Sequence, residues 1–394
     1  MSGAGLTVWD DLVGQRPVIE TLRRASGGGG MTHAWLFTGP PGSGRSNAAL
    51  AFAAALQCES GTGCGTCHQC HTVKMGSHAD VNVVRTEKLS IGVDEIRTLV
   101  RQSALAPAGV KWQVLLVEDS DRLTDQACNA LLKAIEEPTA RTVWLLCAPT
   151  VEDVLPTIRS RCRLVTLTTP TAADVAEFLV RTMEVPPPLA AHAARASQGH
   201  IGRARALATD EDTRNRRSEI VKLPARLKSL GAAMAAATFL HDVAKEEAEA
   251  ITGELDAREK ADLDVAFGVE QRGRRPREYA PALAALAKNQ KTRGKRRVLD
   301  VVDRALMDLV SVYRDAIALG VGAPGQLVNE EIRGDVATLA RAATPEQLLR
   351  MIDAIFTARE QMLEFNVPPQ LALESMAVAL RLPSPAGARA SARS

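Results

Sequence analysis

Aromatic side chains are scarce in this 394-residue chain: Phe, Tyr and Trp together make up 3%. An interior so poor in rings must be built from Ala, Leu and Val. The shortage of aromatic and β-branched runs makes helix the expected majority structure. No run approaches the roughly 20 consecutive apolar residues of a membrane span. The opening MSGAGLTVWDDL has neither the basic nor the apolar region of a signal peptide, so the cytoplasm is the expected compartment. An excess of one charge is missing too. The formal net charge of +2 gives no global drive toward nucleic acid and leaves only local patches to consider. Seven cysteines in a reducing compartment read as metal ligands or buried thiols rather than disulfides.

What is present is ordinary for a globular protein, with 46% hydrophobic and 24% charged residues. The length predicts two or three domains. Residues 1–168 alternate apolar runs with helical stretches, the pattern of an α/β nucleotide-binding domain. HAWLFTG (33–39), VNVVRT (81–86), WQVLLVED (112–119), TVWLLCAP (142–149) and CRLVTLTT (162–169) read as buried parallel strands, and NAALAFAAALQC (47–58) as a helix. Residues 169–210 read as a small helical domain, opening with Thr171 as N-cap and containing a turn at Gly199 and Gly202. Residues 211–382 read as an all-α domain. Leu299, Val302, Leu306, Leu309, Tyr313 and Ile317 mark one buried helix face there, and 245–264 a solvated helix. QRGRRPRE (271–278) and KNQKTRGKRR (288–297) read as basic connectors, and 383–394 as a disordered tail.

GPPGSGRS (39–46) comes close to a phosphate loop, whose backbone N–H groups and helix N-terminus surround the phosphates of a nucleotide. Gly39, Pro40, Pro41, Gly42, Ser43, Gly44 and Ser46 fit the pattern G-x-x-x-x-G-K-[ST], but Arg45 stands at the lysine position. Arginine keeps the charge, yet its planar fork does not fit the slot of an ammonium. The acidic strand end departs as well. A working motor places Asp then Glu there, for Mg²⁺ and for the attacking water; here Glu118 precedes Asp119. Two departures at two catalytic positions point to a site that holds ATP or ADP with Mg²⁺ but does not turn it over. Cys58, Cys64, Cys67 and Cys70 follow C-x5-C-x2-C-x2-C, the knuckle spacing of a closed, structural zinc site.

These elements, with WDDLVGQRPVIETL (9–22), SIGVDEIRTLVRQ (90–102), ACNALLKAIEEP (127–138) and TIRSRC (157–162), resemble the bacterial clamp-loader ATPase family of the AAA+ class. The likeness runs through residues 9–207, with a weak echo at VYRDAI (312–317). It implies an AAA+ domain with an inserted zinc module at 58–70, a helical lid, and an all-α collar that binds the other subunits. It also implies a five-subunit ring with gamma/tau and delta subunits, acting on a sliding clamp and primer-template DNA. In such rings the arginine of the Ser-Arg-Cys signature, here Arg161, enters the neighbour's ATP site as a finger, with Ser160 holding the turn. Arg203, or Arg205 in competition with it, falls near the family's second sensor. Thr150 or Cys147 falls in the first sensor region, where a thiol bonds phosphate poorly. The resulting expectation is a non-motor loader subunit without intrinsic ATPase activity. An ATP-hydrolysing motor subunit of the same family and a zinc-dependent nucleic-acid module are the competing readings. The first would need Lys and Asp-Glu in the two motifs. The second would need exposed basic or aromatic residues around the cysteines, where there are few apart from Lys74 and the histidines His68 and His71.

Overall fold

The computed structural model describes residues 7–86, 90–109, 111–269 and 276–382. The tail 383–394 and residues 271–275 of the stretch QRGRRPRE lie outside the described residues. Internal packing divides the chain into two units, Met1–Thr209 and Asp210–Ser394.

The first unit begins with α1 (Arg16–Ser26), β1 (Ala34–Thr38), α2 (Arg45–Gln57) and the short α3 (His68–Lys74). It continues through β2 (Val81–Val84), α4 (Val93–Ser103), β3 (Gln113–Val117), α5 (Asp125–Glu136) and β4 (Thr142–Ala148). A single turn, α6 (Pro156–Arg159), leads to β5 (Arg163–Thr166). The strands pair in parallel in the order β2-β3-β4-β1-β5. Every residue of β1, β3 and β4 is buried, because helices cover both faces of the sheet. The pleat sends Trp35, Phe37, Leu116 and Leu145 to one face, against Leu22 of α1 and Phe52 of α2. Leu36, Leu115, Trp144 and Leu146 go to the other, against Ile96 of α4 and Leu131 of α5. Alanine does much of this packing: Ala48, Ala49 and Ala53 of α2 are fully buried, which lets the helix lie close on the sheet. The few rings are spent in the core, with Trp35 meeting Phe52 edge-on at 4.9 Å between centroids.

Three further helices complete this unit: α7 (Ala172–Met183), α8 (Pro187–Ser197) and α9 (Ile201–Thr209). Thr171 and Asp174 form a capping box at the start of α7, satisfying two backbone donors reciprocally. Phe178, Leu179, Ala190, Ala194, Ile201 and Leu207 form a small core of their own, joined by Val13. The turn between α8 and α9 runs through Gln198 and Gly199, while Gly202 lies inside α9 rather than in the turn. Only the first of the two glycines is needed: at Gly199 (φ +85) a Cβ would meet Thr169 Cγ2 at 2.3 Å.

The second unit is helical: α10 (Glu211–Arg226), α11 (Leu230–Ala266), α12 (Tyr279–Gly320), α13 (Arg333–Ala342), α14 (Pro345–Leu363) and α15 (Pro369–Ala379). Val302, Leu306, Leu309 and Tyr313 are buried along α12, with Leu299 and Ile317 packed partly buried beside them, as their spacing predicts. In α11 the charged stretch 245–264 buries only Ala248 and Thr252. The reading of 288–297 as a connector is wrong, since the stretch lies inside the 42-residue α12. Lys, Arg and Gln are good helix formers, and basic charge without Pro does not interrupt a helix. Its Arg293 is buried and ion-paired to Asp256 and Glu259 of α11.

A buried charge cluster ties α10 to α12 and to the loop before α13. Arg217, 4% exposed, donates to Asp308 at 3.1 Å, Glu331 at 2.8 Å and Asn329 at 2.5 Å. Asn329 in turn donates to Asp315 and Ser311, both at 2.9 Å. Arg217→Ala would leave Asp308 buried without its cation, and removing one partner of such a pair costs about 3–5 kcal/mol. Denaturant unfolding should show a loss of that size; a loss under about 1 kcal/mol, the range of exposed pairs, would rule the network out as a structural tie.

Candidate nucleotide site and metal centre

The loop 39–46 leaves the carboxyl end of β1, which lies between β4 and β5 at the point where strand order reverses. Crevices at such switch points are where open α/β sheets bind ligands. Gly44, at φ +92, caps α2 and starts its first turn. Ser43 is 2% exposed, and its hydroxyl has no hydrogen-bond partner among the described residues. A buried, unpaired donor in a phosphate loop is an observation that fits an absent anionic ligand.

Arg45 does not project as the motif's lysine would. Its Nη1 turns back and donates to the carbonyl of Gly39 at 2.5 Å, closing the loop on itself. His200, at the start of α9, packs directly on the loop: a Cβ at Gly42 would lie 2.4 Å from its Cγ. The His200 Nδ1 accepts from the Arg203 amide at 3.2 Å, which fixes the ring against the first turn of α9.

The acidic strand end is also engaged. Glu118 follows β3, and Arg85 follows the neighbouring β2. Arg85 donates to both carboxylate oxygens, from Nε at 2.9 Å and Nη2 at 2.8 Å. Such forked, charge-assisted pairs are the strong ones; this one, with Glu118 12% and Arg85 70% exposed, engages both oxygens a Mg²⁺ ion would use. Hydrogen bonding to Glu118, then its charge, raises the Arg85 guanidinium further above its ordinary value. Asp119 sits in the left-handed region at φ 53 and opens a single 3-10 turn, Ser120–Arg122. Asp121 in that turn has a buried Oδ1 without a hydrogen-bond partner, and burial, followed by the charge of Asp119, raises its carboxyl. Cys147, near the end of β4, is 2% exposed; burial and then the charge of Glu118 push its thiol up.

Arg161 follows α6 with 39% of its side chain exposed. It pairs with Glu136 of α5 at 2.6 Å and donates to the Thr157 carbonyl at 2.8 Å and the Ser160 hydroxyl at 3.1 Å. The Ser160 hydroxyl donates to the same Thr157 carbonyl at 3.1 Å, closing the turn under the arginine. Arg203 is half-buried in the first turn of α9. Arg205 is held in place, pairing with Asp11 at 2.8 Å and stacking over Phe178 at 4.9 Å. The structure therefore gathers the loop, Glu118, Asp119 and Cys147 at the carboxyl ends of β1, β3 and β4. Arg85, His200 and Asp121 were missed by sequence reasoning. Only Asp121 left a trace, as the last acid of VEDSD.

The Sγ atoms of Cys58, Cys64, Cys67 and Cys70 all lie within 4.8 Å of one another. Cys58 is 3.7 Å from Cys64 and 4.0 Å from Cys67, against about 3.8 Å for the edge of a tetrahedron with sulfurs 2.3 Å from a central zinc. Amides of Cys64, Cys67 and Cys70 point at the sulfurs of Cys58, Cys64 and Cys67, at 3.4, 3.4 and 3.5 Å. Burial raises the Cys58 thiol, but the Ser60 hydroxyl and the Cys64 amide outweigh it and bring it down to about 5. Burial drives Cys70 the other way, and the charge of Cys58 adds to it. Four sulfurs this close cannot all ionise without a cation between them, and a bound dication removes the conflict. The four cysteines can hold a metal ion. Lys111 donates to the Cys58 carbonyl, and Lys74 is paired with Asp11 at 3.5 Å.

Two family models match the chain. DNA polymerase III, delta subunit, matches residues 14–171, and the C-terminal part of the same subunit matches 300–381. The DNA polymerase III subunit delta' of Escherichia coli K12 is 35% identical over 201 residues, covering 49% of this chain and 59% of that protein. The subunit gamma/tau of Mycobacterium tuberculosis H37Rv is 35% identical over 155 residues, covering 38% of this chain and 27% of that protein. A solved gamma-subunit-related protein of Thermotoga maritima aligns over 92% of this chain and 98% of its own, at 17% identity and a TM-score of 0.41. The matches span less than two thirds of the length of these two curated relatives. The resemblance read from the motifs is upheld: the chain belongs to the delta-type clamp-loader subunits of DNA polymerase III.

Elemental analysis of the purified chain should find about one divalent ion per molecule, as one closed four-thiolate site requires. Cys67→Ser should lower that content, and chelation should lower the melting temperature. A metal-free chain whose melting is indifferent to chelator would dispose of the centre.

Proposed function

We propose that this delta-type subunit is a non-motor, delta-prime-like member of the clamp loader, lending Arg161 to the ATP site of a neighbouring subunit. The observation that carries the reading is the forked Arg85–Glu118 pair, at 2.9 and 2.8 Å, at the place where a motor keeps a free metal-binding acid. Arg45, folded onto Gly39, adds one more engaged group at the same site. Nucleotide held on the loop amides and on Ser43 would lack the free carboxylate and the lysine that help organise Mg²⁺ for phosphoryl transfer. ATP or ADP would be bound without turnover.

Arg161 is free of these constraints. Its partner Glu136 is 44% exposed, and an exposed ion pair contributes only about 0–1 kcal/mol. A triphosphate with several negative oxygens can take the guanidinium from a single carboxylate at small cost. The bond to Thr157 meanwhile keeps the arginine aimed from a fixed turn. In the neighbour's site the guanidinium would stabilise charge spreading over the transferring phosphoryl group, a contribution of about 10³–10⁵ in rate for GTPase fingers. Zinc is the metal that suits four thiolates in a closed site, and its role here is to fold the module. The partners in this reading are gamma/tau and delta subunits in a five-membered ring, the sliding clamp and primer-template DNA. The setting is DNA replication in the cytoplasm, as part of the DNA polymerase III holoenzyme. Among the described residues no helix is long and apolar enough to cross a membrane.

The gamma/tau relatives favour one competing reading, an active motor, which Arg45 and the Glu118-Asp119 order oppose. Reconstitution with gamma/tau and delta separates the two. ATP turnover stimulated by clamp and primed DNA should fall at least about tenfold at one motor site with Arg161→Ala, within the range of a lost finger, while assembly persists. The pure chain should show no steady-state hydrolysis. Unchanged turnover in the variant ring would remove the finger; hydrolysis by the isolated chain would establish the motor.

A further inference from the structure

A cleft of about 650 Å³ opens in the helical unit, between α11, α12 and the loop joining α14 to α15. Nothing in the proposed nucleotide chemistry uses it. Its floor is apolar, made by Val298, Leu299, Met362, Val367 and Pro368. Its rim is basic: Lys245 comes from α11, and Lys291 and Lys295 from α12. All three lysines are exposed, and none makes an ion pair among the described residues. Two arginines of the same helix pair are, by contrast, already paired. Arg293 is neutralised by Asp256 and Glu259, and Arg304 by Glu247. Lys291 and Lys295 stand one helical turn apart, a like-charge spacing that is unfavourable until an anion lies between them. Glu249 is the one acid on the rim, so the lysines outnumber it three to one.

Gly294 adds a second observation. It lies inside α12, where glycine is a poorer helix former than alanine, and a Cβ there would meet nothing within 4 Å. Packing within the unit does not call for glycine at this position. Its effect is to leave the cleft wall bare between the two lysines.

We infer that this cleft docks an acidic amphipathic segment of a partner protein, its apolar side chains on the floor and its carboxylates on Lys245, Lys291 and Lys295. Such a segment would use the helix-in-groove mode of recognition, with apolar anchors at helical spacing. Single-stranded nucleic acid fits the rim but not the floor. No Phe, Tyr or Trp lines the cleft; its one ring is the His241 imidazole, beside Asp242 at 3.6 Å, a small platform for base stacking, the main sequence-tolerant contribution to such binding. The inference stands whether or not Arg161 acts in trans.

The test uses the full chain and fluorescence anisotropy. The probes are a synthetic peptide of about twelve residues, with Leu at helical spacing and Glu elsewhere, its Lys-for-Glu counterpart, and an oligothymidylate of similar length. The acidic peptide should bind saturably. The double variant Lys291→Glu, Lys295→Glu should weaken it by about tenfold or more, which is about 1.4 kcal/mol. Gly294→Leu should block it while the melting temperature holds or rises, because leucine is the better helix former and the space is open. That variant separates a filled cleft from a misfolded one. Absence of saturable binding, equal binding of the basic peptide, retained affinity in both variants, or tighter binding of the oligothymidylate would each overturn the proposal.

Discussion

The forked bond between Arg85 and Glu118 is the constraint around which the nucleotide-loop end of the sheet is organised. It exists because β2 and β3 are parallel neighbours, so that residues leaving their carboxyl ends emerge side by side. With Glu118 neutralised from the flank, the remaining negative charge of the strand end rests on Asp119 and Asp121. Arg45 is close enough to lower the carboxyl of Asp121, but too little to offset its burial. A second cation introduced from solvent would find its best ligand already taken. The site resembles a lock whose wards have been filled by the chain itself: its shape is retained while the charges that would move in catalysis are spoken for.

The strands were legible because burial on both faces demands unbroken apolar runs, and a chain this short of aromatics and β-branched residues elsewhere makes those runs stand out. Arg45, the Glu118-Asp119 order and the four cysteines were legible because each is a departure from, or a match to, a local spacing. Arg85 and His200 were not legible. Arg85 meets Glu118 across 33 positions, and His200 reaches Gly42 across a still longer separation. Nothing local to either residue marks the pairing. The reading of 288–297 failed for a related reason. Its charges looked solvated in isolation, whereas Arg293 is buried against acids of α11 that lie about 35 residues earlier.

Two kinds of cationic side chain therefore recur in the molecule. Arg217 and Arg293 are buried and committed, each forked onto carboxylates and holding elements together, and Arg85 forks onto Glu118 from an exposed position. Arg161 is pinned by backbone on one side and only lightly held by Glu136 on the other; Lys245, Lys291 and Lys295 are not held at all. The distinction follows guanidinium chemistry: its planar set of donors can satisfy two or three acceptors at once and so tolerates burial. An ammonium, compact and strongly hydrated, stays at the surface unless something arrives to meet it.

The long pair α11 and α12 has a mechanical consequence. At about 1.5 Å per residue, the 42 residues of α12 extend for about 63 Å. Its bonds to α11 run from Arg304–Glu247 near the base, through Arg293–Glu259, to Tyr279–Asp264 at 2.5 Å near the far end. A hairpin cross-braced along its length bends as one beam rather than two. A push delivered at its tip would arrive at the root as rotation, with little of the displacement lost to sliding between the two rods.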